Sequence, residues 1–273
     1  MTVRTPPSLL VAGGLDPLGG AGITADATLA SVLGLAPLPV ALAVVEQDSH
    51  GVRRLWPIAP DQFAGSFRAA LQDGRPAVVK LGVIGSTSAA EWLVAELLPW
   101  LRSDPARRLI LDPVLRGGTE SGAPLAPESM LPLLRALATP QTILTPNAVE
   151  LAALTAGDLH RSFEASAALA LRLHRETGAA VLLKSGHTDR PGQDAWVGEG
   201  AVTLLPAQSR WSLDLHGTGC FLATALACGI ARSTPPRQAA FDASAMLARL
   251  VAGGGVAQVG EGRPQLLHAL ASW

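Results

Sequence analysis

Short apolar, β-branched runs alternate along this chain with longer stretches whose apolar residues recur every three to four positions. The short runs predict strands at residues 9–12, 39–45, 78–81, 109–111, 142–144 and 181–183. The longer stretches predict helices at 23–33, 62–71, 89–101, 128–138, 148–154, 163–176, 221–231 and 238–251. Gly34 and Gly178 stand where a helix releases its last turn, because a residue without Cβ enters the left-handed region at little cost. Residues 195–205 read as a hairpin turning at Gly198-Glu199-Gly200. Such alternation predicts an α/β fold: a mostly parallel central sheet with helices on both faces. No linker interrupts it, so residues 1–273 are expected to form one domain.

Composition supports a large core, with 48% hydrophobic and 16% charged residues. The net charge of −1 and the lack of a basic run argue against nucleic acid or an anionic membrane as partner. The longest apolar stretch, 33–45, holds two prolines and is too short to span a bilayer. Residues 1–7 carry no apolar segment before a cleavage site, so a cytoplasmic protein is expected. Cys220 and Cys228, if on one helix, lie about 12 Å apart along its axis, too far for a disulfide.

In parallel sheets ligands bind beyond the carboxyl ends of the strands. Here those ends carry Gly14-Leu15-Asp16, Glu46-Gln47-Asp48, Asp112-Pro113, Thr145-Pro146-Asn147 with Glu150 one turn on, and Lys184. Singly, Asp and Asn are ordinary turn and cap residues. Together they place acids, amides and a cation at one end of the sheet, as a phosphate-handling site requires. Lysine is scarce, Lys80 and Lys184 against nineteen arginines, which makes a strand-end lysine a weak candidate for mere surface filling.

Two glycine-rich segments add to this. Residues 14–22 follow the first strand and open a helix, but lack the Lys-Ser/Thr of a Walker A loop and carry Pro17 inside the turn, unlike a dinucleotide fingerprint. They read either as a close backbone approach to a ligand, bringing Asp16 with it, or as a turn needing glycine for positive φ. His216-Gly217-Thr218-Gly219-Cys220 precedes an apolar helix, so its N–H groups can converge on an anion at the positive end of the helix dipole. The plainer reading is a glycine turn followed by a small core cysteine.

Taken in order, Asp16-Pro17, Gly19-Gly20-Ala21-Gly22, Ala25-Asp26, Gln47 with Gly51-Val52, Lys80-Leu81-Gly82 and Leu111-Asp112-Pro113-Val114 form a series of landmarks. Thr145-Pro146-Asn147 with Glu150, Lys184-Ser185-Gly186-His187 and His216-Gly217-Thr218-Gly219-Cys220 complete it. In this order and spacing the chain, from about Leu9 to Ala252, resembles the ribokinase-like superfamily, and within it the hydroxymethylpyrimidine and phosphomethylpyrimidine kinases of thiamin biosynthesis. The resemblance implies a three-layer α/β/α sandwich, ATP and Mg²⁺ as cosubstrate and cofactor, a small-molecule pyrimidine substrate and a homodimer. It places Gly14, Asp26, Val45, Gln47, Val83, Val114 and Cys220 around the pyrimidine, with the Gln47 amide reading the aminopyrimidine edge. It places Lys184, Asn147 and Asp112 at the ATP phosphates, and Glu150 and Asp112 at the metal.

The chain departs from the family pattern at Leu15 and Leu18, at Glu46 and Asp48 flanking Gln47, at Val83, and in the loop from Arg116 to Gly122, where Arg116 stands in for a missing lysine. Related sugar kinases carry an aspartate base where this chain has Cys220. A helix N-terminus lowers a thiol pKa, which makes Cys220 a candidate base, while ATP charge opposes this. Because phosphoryl transfer needs little base assistance, the amides of Gly217, Thr218, Gly219 and Cys220 are expected to contribute more than the sulfur. Two other functions fit the same residues: a pyridoxal kinase of the same superfamily, and a pyrimidine-binding regulator on a degenerate kinase fold.

Overall fold

The computed structural model describes residues 5–117, 123–159, 161–206 and 215–266. Its strands are β1 (Ser8–Leu15), β2 (Ala36–Asp48), β3 (Gly51–Pro57), β4 (Val78–Leu81), β5 (Arg108–Leu111), β6 (Thr142–Leu144), β7 (Ala180–Leu183), β8 (Ala195–Gly198), β9 (Ala201–Leu204), β10 (Val256–Ala257) and β11 (Gln265–Leu266). Its helices are α1 (Gly22–Val32), α2 (Pro60–Gln72), α3 (Thr87–Arg102), α4 (Leu131–Ala136), α5 (Ala148–Thr155), α6 (Phe163–Thr177), α7 (Thr218–Ala231) and α8 (Pro236–Ala252). Nine strands form one sheet in the order β3-β2-β1-β4-β5-β6-β7-β8-β9. The run β2-β1-β4-β5-β6-β7 pairs in parallel, and β3, β8 and β9 add antiparallel edges.

The parallel strands bury both faces, so their side chains alternate between two cores. Leu10, Val79, Leu109, Leu144 and Val181 face the core built with α2 to α6. Leu9, Val78, Ile110, Ile143 and Leu182 face the core built with α1, α7 and α8. This is the expected α/β/α layering, with strands too apolar to leave a face in water. The direction of strand progression reverses between β1 and β4, which makes their carboxyl ends a topological switch point. Among the described residues no helix is long and apolar enough to cross a membrane.

All six predicted strands and the hairpin form, the latter turning at Glu199 (φ 54°) and Gly200 (φ 77°). Gly178 closes α6 in the left-handed region, and Gly34 (φ 80°) follows α1 in the same way. The predicted helix at 128–138 instead splits into a 3₁₀ turn (Glu128–Met130) and α4, with Pro132 in the first turn of α4. β3 was not expected. It carries Arg53, Arg54 and Pro57 on an edge where most side chains reach solvent, so it shows no apolar alternation. The two-stranded β10–β11 ribbon is likewise too short to leave a periodic signature.

Candidate active site

A cavity of about 420 Å³ opens where the carboxyl ends of β1, β2, β4, β5, β6 and β7 meet the N-terminus of α7. It takes in Gly14, Asp26, Val45, Gln47, Val83, Val114, Asp112, Asn147, Glu150, Lys184, Gly217, Thr218, Gly219 and Cys220, so every residue that the family resemblance places at the site borders one space. The backbone brings them together stepwise. Gly82 N–H donates to Ala12 O, Asp112 N–H to Leu81 O, Thr145 N–H to Leu111 O and Lys184 N–H to Pro146 O, which carries the sheet one residue past each strand end.

One wall is apolar and tight. A Cβ on Gly14 would lie 2.9 Å from Val45 Cγ2 and 3.5 Å from Val83 Cβ, so glycine is what lets β1 approach these two side chains. Gly22 (φ +62°) lies so close to Gly14 O that a Cβ would reach within 2.2 Å. The segment between them is pinned by Asp16, whose carboxylate accepts from Leu18 N–H and Ala21 N–H at 2.9 Å each. Burial raises the Asp16 carboxyl, but the hydrogen bonds from His216, Leu18 and Gln47 prevail and hold it below the ordinary carboxylate range. Asp16 therefore pins the loop while bordering the cavity. Gln47 Nε2 lies 3.4 Å from His216 Nε2, which in turn is 3.2 Å from Asp16 Oδ2.

A second region is charged. Lys184 Nζ donates to Asp112 Oδ1 at 2.8 Å and lies 3.6 Å from Glu150 Oε2. Thr145 Oγ1 also donates to Asp112 Oδ1, at 2.9 Å. Burial raises the Asp112 carboxyl, but Lys184, Lys80 and Thr145 outweigh it and hold it down. Glu150 is less well served: burial pushes it up to about 7, against the pull of Lys184 and with Asp112 adding to the push. Burial alone would lower Lys184, yet Asp112 and Glu150 keep its ammonium above the ordinary lysine range. Asn147 caps α5, its Oδ1 accepting from Glu150 N–H at 2.9 Å while Glu150 Oε2 accepts from Asn147 N–H at 2.8 Å. After β7, Asp194 accepts from Ser185 N–H and Oγ and steadies the turn that carries Lys184.

The third component is the start of α7. Gly217 is its N-cap at φ 89°, with no capping side chain, and Phe221 N–H makes the first bond, to Gly217 O. The N–H groups of Thr218, Gly219 and Cys220 thus have no helical partner and lie at the cavity. A Cβ on Gly219 would sit 3.3 Å from Lys184 Nζ, which places the cation directly beside these amides. The helix begins three residues before the predicted 221, so Cys220 belongs to its first turn.

One expectation changes here. Cys220 is not depressed by its helix: burial pushes the thiol up to about 11, with Lys80 lowering it and Asp26 and Asp112 raising it. Alkylation by iodoacetamide is therefore expected to be slow at pH 7.5 and to accelerate towards pH 11; fast modification at neutral pH would contradict this. Asp26 borders the cavity, with Oδ2 bonded to Lys80 and Oδ1 to Thr224, each at 2.6 Å. Cys228 is buried in the core on the same helix, and both cysteines are free.

The sequence reading passed over Thr224 and the segment 260–266. Thr224 had a signal, as a polar residue in an apolar helix. The 260–266 segment had none, yet its Arg263 borders the cavity and its backbone is tied to the loops there: Arg263 N–H donates to Ser49 O, and His216 N–H to Pro264 O. Of the loop from Arg116 to Gly122, residues 118–122 lie outside the described residues; Gly117 N–H donates to Ala123 O at its base.

Comparison with known proteins agrees with this geometry. The sequence pattern of the phosphomethylpyrimidine kinase family matches residues 16–265. The chain is 32% identical over 264 residues to a thiamine biosynthesis multifunctional protein of Corynebacterium efficiens; this covers 96% of the chain but 35% of that longer protein. It is 32% identical over 269 residues to the hydroxymethylpyrimidine/phosphomethylpyrimidine kinase of Salmonella typhimurium, covering 97% of this chain and 98% of that one. In fold it is similar to the pyridoxal kinase of Staphylococcus aureus solved with pyridoxal, with a TM-score of 0.81, 21% identity, and coverage of 97% and 94% of the two chains.

Proposed function

The chain belongs to the phosphomethylpyrimidine kinase family, and from that premise we propose that it transfers the γ-phosphoryl group of ATP to 4-amino-5-hydroxymethyl-2-methylpyrimidine, to its monophosphate, or to both. One observation carries the assignment of parts: Lys184 Nζ stands against Gly219, so a cation and a fan of open N–H groups meet at one point of the cavity. A phosphoryl group in transfer spreads negative charge over its outer oxygens, and catalysis consists mainly of holding and stabilising it. Residues 218–220 supply preorganised donors, and Lys184 supplies charge.

The acceptor fits the wall beyond. Val45, Val83 and Val114 present a narrow apolar slot with Gly14 as its thin side, suited to a flat ring. The Gln47 amide carries both a donor and acceptor for an aminopyrimidine edge. Among the described residues no three His, Cys, Asp or Glu converge as a closed metal site. A magnesium ion needs no such cage, since it keeps waters and takes one or two carboxylates with the substrate phosphates. Asp112 and Glu150 fit that donor set, and the ion would supply charge neutralisation at the phosphates. Asn147 N–H donates to Glu150 Oε2 at the start of α5 and so keeps that carboxyl turned to this end of the sheet.

Steady-state phosphorylation of the pyrimidine alcohol, its monophosphate and pyridoxal, with ATP and Mg²⁺, tests the reading. A pyrimidine is expected to show the highest kcat/KM. Highest kcat/KM for pyridoxal would assign the slot to a pyridine instead, and pyrimidine binding with no ATP turnover would make the protein a regulator.

A further inference from the structure

β4 is a four-residue apolar strand with one charge in it, Lys80. Its neighbours Val79 and Leu81 face the core under α2 to α6, so Lys80 faces the other way, towards α1 and α7. It is 1% exposed, and its Nζ donates to Asp26 Oδ2 at 2.6 Å. Asp26, on α1, accepts through Oδ1 from Thr224 Oγ1 on α7, also at 2.6 Å. Thr224 lies one helical turn after Cys220, on the same face of α7. Lysine, aspartate and threonine thus tie three elements together directly beneath the helix N-terminus that borders the cavity. Gly82 leaves room for the ammonium: a Cβ there would be 3.3 Å from Nζ.

This is an unusual place to bury a pair of charges if stability were the whole purpose, since well-packed apolar residues serve at least as well. What the arrangement adds is placement and neutrality. The first turn of α7 contains no capping side chain, and the Asp26–Thr224 bond is a polar contact that holds its second turn to α1. Asp26 alone would also put a negative charge under a site that must receive phosphates, and Lys80 cancels it.

We propose that Lys80 is a positioning residue: through Asp26 and Thr224 it fixes the first turns of α7, and with them the N–H groups of residues 218–220, against the sheet edge where the acceptor sits. This rests on the kinase reading above. Lys80 also borders the cavity, but with its Nζ held by Asp26 it acts here through the helix.

Two variants test it. Thr224→Val removes one hydroxyl with little change of shape, and Lys80→Met with Asp26→Asn removes both charges together, so neither is left buried and unpaired. The double variant is expected to fold and to lose about 10²-fold in kcat, the scale of a small misplacement of reacting groups, with the KM for ATP little changed. Thr224→Val is expected to lose about tenfold in kcat with the same KM pattern. The pH profile of Cys220 alkylation gives a readout apart from activity. The charged groups acting on or around that thiol are Lys80 from β4, Asp26 from α1, Asp112 after β5 and Lys184 after β7. Loss of the Lys80–Asp26 pair is expected to move the profile to higher pH, because the ammonium acts on the thiol more strongly than the carboxylate. Folded variants with unchanged kcat and an unchanged profile would overturn the proposal. If the double variant does not fold, wild-type kcat in Thr224→Val overturns it alone. If the wild-type protein phosphorylates nothing, the kinase reading falls, and an unchanged alkylation profile in the double variant would still overturn the role given to Lys80.

Discussion

Lys184→Met is expected to lower kcat by roughly 10³-fold, at the lower end of what a single charge-stabilising side chain contributes to phosphoryl transfer. The reason is geometric: Lys184 places its ammonium within bonding distance of Asp112 and beside Gly219, and methionine fills similar volume without charge. The same change leaves Asp112 buried without its nearest cation, which costs about 3–5 kcal/mol when a buried pair is broken. The pH dependence of that cost has a definite sign. In the wild type the Asp112 carboxyl is held below its ordinary value, so its contribution to stability is present above the ordinary carboxylate range and is lost below it. In Lys184→Met burial, the largest single influence, is expected to prevail over Lys80 and Thr145 and to raise the same carboxyl, so the variant gains stability as acid protonates it. Thermal unfolding from pH 8 down to pH 5 should therefore show the gap between the two proteins narrowing. A gap that widens with acidification, or a variant with near wild-type kcat, would remove Lys184 from the charge-stabilising role.

Much of the site could be read from the chain because its parts sit at strand ends, and strand ends are marked twice. An apolar run stops, and a residue that does not belong in a core follows it. Asp112, Asn147, Glu150 and Lys184 were all found in this way, and the cavity borders each of them. β3 shows the opposite case. Its partner β2 is buried enough to announce itself, whereas the edge strand holds arginines that cover its outer side and erase the period. Residue identity was also a poor guide to what a carboxylate does. Asp16 and Asp26 lie in the expected places, but each spends its oxygens inside the protein, Asp16 on the turn at 18–21 and Asp26 on Lys80 and Thr224. Nothing in a linear sequence says which acid will find a lysine from another strand. The thiol went the same way. A helix N-terminus argues for a lowered pKa, and burial, which only the packed structure reveals, argues more strongly for a raised one.

That reversal fixes the expected order of effects within the Gly-Thr-Gly-Cys segment. Gly217→Ala puts a Cβ on a residue at φ 89°, a strain of about 1–3 kcal/mol that the backbone can relieve only by turning the first N–H groups of α7 away from the cavity. A loss of roughly 10²–10³-fold in kcat follows if those groups carry the developing charge, as for donors in oxyanion holes. Cys220→Ala keeps every amide and removes a thiol that stays protonated at neutral pH, so the expected loss is about tenfold on the hydroxymethyl acceptor. On the monophosphate acceptor it should be smaller still. A phosphate oxygen is already ionised above its second pKa of about 6 and needs no base. Measuring kcat for both variants on both acceptors decides the matter, with unfolding curves to set the strain of Gly217→Ala apart from its effect on rate. A larger loss in Cys220→Ala than in Gly217→Ala would make the sulfur, and not the backbone, the principal catalyst. A loss in Cys220→Ala that is equal on the two acceptors would instead make the sulfur part of the wall against which either acceptor is placed.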